Sequence, residues 1–336
     1  MRALLTALED PARATNLPSG DATMLAVARH HRLTPLLSVV CSQTLPAPLA
    51  DAFRHDRVLT AARNMILGQV AEECVRALTE AGVPAIVLKG LDYEARLYRA
   101  VGLRPTADVD LLVPEVERRR AFAVLDRLGF EPRACAPGFD DLDYHEVAWT
   151  RAGVEVDLHI ALAPFVRGRI DYTAIWSDAR KFRLGETDAL SLSDVHAAIF
   201  HALHMGIDHF AVPAIYLVDL ARLLADPATL LDAEATARTW QCHGPFVTAL
   251  ALTRALLPRS LPVPGAGSLP PWTRRVIGSY GALAAPPRAE QLLRKFAHFD
   301  TAGTALRYLA VQSQRNIREL LERSLRKRSP RQRLGL

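Results

Sequence analysis

Cysteine is scarce in this 336-residue chain: Cys41, Cys74, Cys135 and Cys242 lie far apart, and no two stand in a C-x-x-C spacing. Such spacing argues against a zinc knuckle or a disulfide framework, and a reducing cytoplasm is the expected location. Long apolar runs are also missing. No uncharged stretch reaches the roughly 18 residues that a membrane span needs. The opening MRALLTALEDPARA is interrupted by Glu9 and Asp10, so it lacks the apolar core of a signal peptide. There is no internal repeat and no low-complexity tract. What remains is half apolar, enough for a substantial core in one large domain or two ordinary ones. The net charge of +5 is concentrated near the end, where QRNIRELLERSLRKRSPRQRLGL carries Arg315, Arg318, Arg323 and five more bases against Glu319 and Glu322. Without that tail the body is nearly neutral, and its aromatics are not interleaved with bases. The tail therefore reads first as a solvated helix end, and a nucleic-acid contact is not favoured.

Hydrophobic periodicity divides the chain. From Asp21 to Gly82, apolar residues recur every three or four positions, which predicts a helical section with Gly82 as its stop. The period then changes. PAIVL (84–88), ADVDLLV (107–113), YHEVAWTR (144–151) and VEVDLHI (154–160) read as strands, the last two joined by a turn at Ala152 and Gly153. Between them GLDYEARLYRAVGL predicts a short helix ending near Gly102, and PEVERRRAFAVLDRLGF a helix from Pro114 to Gly129. From Ser193 onward every periodic segment is helical, interrupted by a Pro- and Gly-rich loop at 257–272. The expected class is α+β: a small mixed sheet flanked by helices. The expected sections are 1–82 (helical), 83–192 (sheet core), 193–328 (helical) and 329–336 (basic tail).

Within RPTADVDLLVP, Asp108 and Asp110 project from one side of the predicted strand while Val109 and Leu111 face the other. Two adjacent carboxylates repel and resist desolvation, so a cation between them is the natural partner. An all-oxygen set without cysteine or clustered histidine favours magnesium or manganese. In VEVDLHI, alternation places Glu155, Asp157 and His159 opposite an apolar face, so Asp157 is free to complete a two-metal site, with His159 near any substrate. Lys89 and Gly90 stand at a strand-to-helix junction, where glycine allows close backbone approach and helix amides can donate to phosphate oxygens. Arg104 either meets a triphosphate or neutralises Asp108. His145 and Glu146 are candidates for the site rim. His201 and His204 read as packing or acceptor-side residues rather than metal ligands. Asp219, in an apolar helical stripe, calls for a buried hydrogen bond or an arginine partner.

Taken in order, VLKG, GLRPTADVDLLV, a helix ending in LGF, HEVAW, VEVDLH, HALHMG and IYLVDLARLL resemble the bacterial family of uncharacterised nucleotidyltransferases, within the polymerase-β-like superfamily. The resemblance covers roughly residues 20 to 260. It implies a nucleotidyltransferase core in which Asp108, Asp110 and Asp157 bind metal and Lys89 and Gly90 form the phosphate-side loop. It also implies transfer of a nucleoside monophosphate from a nucleoside triphosphate, ATP or another, to a hydroxyl acceptor, with release of pyrophosphate. One position departs from the pattern. The superfamily usually has Gly-Ser or Gly-Gly at this loop, and here Leu91 follows Gly90. That departure motivates the alternative of a nucleotide-binding or partner-docking protein without turnover. The basic tail motivates a third reading, an RNA-modifying or toxin-like transferase. The acceptor and the oligomeric state have no signature in the sequence.

Overall fold

The computed structural model describes residues 1–17, 22–132, 145–163, 168–208 and 210–261. The N-terminal section contains α1 (Arg2–Glu9), α2 (Ala22–His30), α3 (Thr34–Val40) and the 34-residue α4 (Ala47–Glu80). Pro48 in its first turn and a left-handed Gly82 just past its end bracket it, the glycine at the predicted stop. After α4 come β1 (Ile86–Val87), α5 (Leu91–Tyr93) continuing into a π-type turn over Glu94–Tyr98, and β2 (Val109–Leu112). Next are α6 (Arg118–Arg127), β3 (Glu131–Pro132), β4 (Glu146–Arg151) and β5 (Val154–His159), then α7 (Tyr172–Ser177) and the hairpin of β6 (Arg180–Leu184) and β7 (Thr187–Ser191). Four helices complete the described chain, α8 (Asp194–Ile207), α9 (Ile215–Leu223), α10 (Pro227–Thr239) and α11 (His243–Leu256). The fold is α+β.

The seven strands form one mixed sheet in the order β3-β4-β5-β2-β1-β7-β6. β2 runs parallel to β5 and β1 parallel to β7, and the other neighbours are antiparallel. Both faces are covered. On one, Val109, Leu111, Val154, Val156, Leu158 and Ile160 pack against the second half of α4 and against α6. On the other, Ile86, Leu88 and Leu112 join a larger cluster that runs from Leu4 to Leu261 and takes in α1, α3 and α8 to α11. The strict alternation of VEVDLHI therefore reports one buried face, and its polar set faces the helical layer.

Two expectations need correction. The helix after Gly90 ends at Tyr98, not near Gly102, because Arg99 turns left-handed (φ 54°) and the buried Glu94 carboxylate accepts the Gly102 amide at 2.7 Å. The sheet also has more strands than the four predicted: β6 and β7 add a hairpin beside β1, and β3 extends the opposite edge. No helix among the described residues is long and apolar enough to cross a membrane. Cys41, Cys74 and Cys242 are buried free thiols, while Cys135, the basic tail and most of the 257–272 loop lie outside the described residues.

Candidate active site

The parallel pairing of β2 with β5 sets the geometry. Val109 pairs with Val156 and Asp110 with Asp157, so the two carboxylates leave adjacent strands at the same level and on the same face. Asp108 precedes β2 by one residue and points the same way. An oxygen from each of Asp108, Asp110 and Asp157 falls within 4.8 Å of the others. The sequence thus identified three acids that the fold brings together.

Their surroundings differ. Asp110 is almost fully buried, with the Lys89 ammonium 2.6 Å from one oxygen and His159 Nε2 3.1 Å from the other. Burial pushes the Asp110 carboxyl up, but Lys89 and the hydrogen bond from His159 outweigh it and hold the group well below the usual carboxylate range. Asp157 has no such cation. Burial, then the charges of Asp110 and Glu146, push its carboxyl up to about 7. Lys89 also lies 3.9 Å from Asp108, and although burial favours its neutral form, the two aspartates keep it charged. His159, buried between Asp110 and Glu146 (Nδ1 to Oε2 3.4 Å), resists the effect of burial for the same reason and its pKa is raised. Lys89, expected on the phosphate side, is here the counter-ion of the acid pair.

Gly90 has φ +61°, and a Cβ built there would lie 2.9 Å from Thr106 Cγ2, so the residue is fixed by both its backbone and the chain opposite. Leu91, which stands where a second small residue is expected, is buried in the core beneath the sheet and is not among the residues lining the cleft. Arg104 corrects a further expectation, since its partner is Asp219 (Nε and Nη2 at 3.0 and 2.9 Å) and not Asp108. Asp219 is fully buried and also accepts the Tyr98 hydroxyl at 2.6 Å, so it has both the arginine and the hydrogen bond that its apolar setting required. Asn64 of α4 donates to the Arg104 carbonyl and accepts the Thr106 amide, which clamps the segment leading into β2.

These residues border one cleft of about 240 Å³, lined by Lys89, Gly90, Arg104, Asp108, Asp110, Glu146 and Asp157 from the sheet side. The helical side contributes Arg32, His204, Asp208 and Tyr216. His204 thus lies at the cleft wall, neutral because burial and nearby Lys89 depress its pKa. His201 is a packing residue: its Nε2 donates to the Tyr216 carbonyl at 2.9 Å, and its ring stacks on that tyrosine. His145 sits 3.4 Å from Glu146, which lines the cleft, and is not itself among the lining residues. Sequence reasoning missed Arg32, Asp208, Tyr216 and Asn64. Only Asn64 left a signal, an amide at a buried position of an otherwise apolar helical stripe.

The donor set fits a divalent cation. Three hard carboxylate oxygens converge without a sulfur among them, a set that could hold a metal ion. A carboxylate triad on adjacent strands thus opens into a cleft bordered by cations. A family model described as an uncharacterised nucleotidyltransferase matches residues 19–258, and the chain belongs to that family. No curated protein matches the sequence. Among solved structures the chain is similar to the antibiotic-resistance factor ANT(2'')-Ia, at 13% identity and TM-score 0.41 over 56% of this chain and 95% of that one. It is also similar to an antigenic nucleotidyltransferase-like protein from Paracoccidioides brasiliensis, at 13% identity and TM-score 0.33 over 56% and 91%.

Proposed function

We propose that the protein transfers a nucleoside monophosphate from a nucleoside triphosphate to a hydroxyl on a small molecule, peptide or protein, with magnesium or manganese held by Asp108, Asp110 and Asp157. The observation that carries this reading is the register of Asp110 opposite Asp157, which with Asp108 brings three carboxylates within 4.8 Å. Bound divalent ions supply charge stabilisation for the oxygens that enter and leave the α-phosphorus. The acceptor oxygen forms a bond to that phosphorus, the bond to the bridging oxygen of the β-phosphate breaks, and pyrophosphate departs. The acceptor proton goes to Asp157, which lines the cleft beside the other two acids. His159 is a positioning residue, fixing the Asp110 carboxylate through its hydrogen bond. A nucleoside triphosphate donor and buried reduced thiols fit a cytoplasmic setting for this activity.

The test is magnesium-dependent release of pyrophosphate from each triphosphate in the presence of a cell extract as acceptor source. Asp110→Asn should reduce it to background. Because that change leaves Lys89 buried without its counter-charge, Asp108→Asn, at a more exposed position, serves as the second variant. If both variants matched the parent, the proposal would be lost. A second reading, nucleotide binding without turnover, draws on the Lys89 ammonium lodged on the acid pair. Calorimetric binding of magnesium and triphosphate with no pyrophosphate from any acceptor would favour it.

A further inference from the structure

Three cations border the cleft, and they are not equivalent. Lys89 is held by Asp110, and Arg104 by Asp219. Arg32 lines the same cleft, half-buried, and among the described residues no carboxylate pairs with it. Its backbone, like that of Arg99, is left-handed. Arg32 follows the end of α2 with φ +56°, its amide bonded to the Arg29 carbonyl and the Leu33 amide to the Ala28 carbonyl, both at 2.9 Å. This is the six-to-one and five-to-two pattern of a Schellman cap, in which the left-handed residue is ordinarily glycine because a side chain there is strained. The turn is also pinned. His31 accepts the Ala214 amide through Nδ1 and the Ile215 amide through its carbonyl, each at 3.2 Å, which fixes Arg32 beside Tyr216 at the start of α9. A strained position that carries a long cationic side chain into a cleft lined by functional groups points to a ligand.

We propose that Arg32 binds the polyphosphate tail of the nucleoside triphosphate, so that the α2–α3 turn, outside the sheet core, completes the substrate site. The inference rests on the function proposed above, in that the cleft is taken as a triphosphate site. A guanidinium suits this role because its planar fork holds two phosphate oxygens at once. The α-phosphate, by contrast, would lie at the ion that Asp108, Asp110 and Asp157 would hold.

The experiment is calorimetric titration of the full chain with each nucleoside triphosphate, with inorganic tripolyphosphate and with each nucleoside monophosphate, all in magnesium. Arg32→Ala should weaken triphosphate and tripolyphosphate binding by about 10- to 100-fold, the loss of one or two charge-assisted hydrogen bonds. Monophosphate binding should stay within about twofold, because the missing contacts lie beyond the α-phosphate. Arg32→Lys should fall between the parent and Arg32→Ala. Arg32→Gly guards against misfolding: it should lose the same affinity while raising the Tm by about 1–3 °C, since glycine relieves the left-handed strain. Unchanged triphosphate affinity in Arg32→Gly, or equal losses for mono- and triphosphate, overturns the inference. If the parent still releases pyrophosphate in a magnesium- and Asp110-dependent way, only the Arg32 assignment falls. A parent that binds no triphosphate in magnesium overturns both.

Discussion

Asp219 shows how a single buried charge is made tolerable and how much its removal should cost. It has no solvent contact, and its two oxygens are shared among the Tyr98 hydroxyl and the Arg104 guanidinium, which is itself almost wholly buried. Asp219→Ala leaves Arg104 as an uncompensated charge in the core beside the cleft, and should lower stability by about 3–5 kcal/mol in urea denaturation. A loss below about 1 kcal/mol would show that water reaches the arginine. The need for a partner was legible at Asp219 because an acid interrupted an apolar stripe. The partner's identity was not, since Arg104 is 115 residues away and an isolated arginine next to Asp108 suggests a nearer pairing. The same limit applies to the acids of the site. Alternation showed which face Asp108, Asp110 and Asp157 share, whereas the Lys89 contact and the raised Asp157 carboxyl depend on the depth of burial.

At the scale of elements, the segment between β1 and β2 decides where the site forms. Gly90 turns the chain with φ +61° against Thr106, and Asn64 holds the stretch from Arg104 to Thr106. Gly90→Ala should destabilise by about 1–3 kcal/mol, from the left-handed backbone and from the 2.9 Å approach to Thr106 Cγ2. Thr106→Ser removes that methyl, so in the Gly90→Ala background it should restore part of the loss, a favourable coupling of about 0.5 kcal/mol or more in a double-mutant cycle. Strict additivity would rule out the contact as a cause. The glycine was legible as a tight junction from its place between a strand and a helix. The strands β6 and β7 were not legible, because RKFRLGETDALS scatters a few apolar residues among charges and offers no sustained alternation. Their place in the sheet is supported from outside the local sequence. Glu72 of α4 accepts the Glu186 amide and the Thr187 hydroxyl at the hairpin turn, at 2.8 and 3.0 Å.

For the whole molecule, the decisive feature is that the polar face of the sheet meets a helical layer instead of water. α8 and α9 lie over it, and His201 of α8 is buried where a charge has no outlet. His201 donates from Nε2 to the Tyr216 carbonyl, and among the described residues its buried Nδ1 has no hydrogen-bond partner, so protonation would place an unanswered charge in the core. Burial lowers its pKa to about 4, with Arg104 and Lys89 acting in the same direction against Asp219. In the unfolded chain the group titrates near 6.5, so the unfolded state takes up a proton first as pH falls. The contribution is therefore intact above about pH 6.5 and disappears as pH drops towards 4, the loss amounting to about 2 kcal/mol at pH 5 for this one group. His204, whose pKa is also depressed, adds to the same limb. His201→Gln can keep a donor to the Tyr216 carbonyl without titrating. Its stability should fall less than that of the parent between pH 7.5 and pH 5, by about 1–2 kcal/mol in urea denaturation, whatever it costs at pH 7.5. Parallel losses in parent and variant would mean that the imidazole is hydrated in the folded state and that the helical layer does not seal this part of the sheet from solvent.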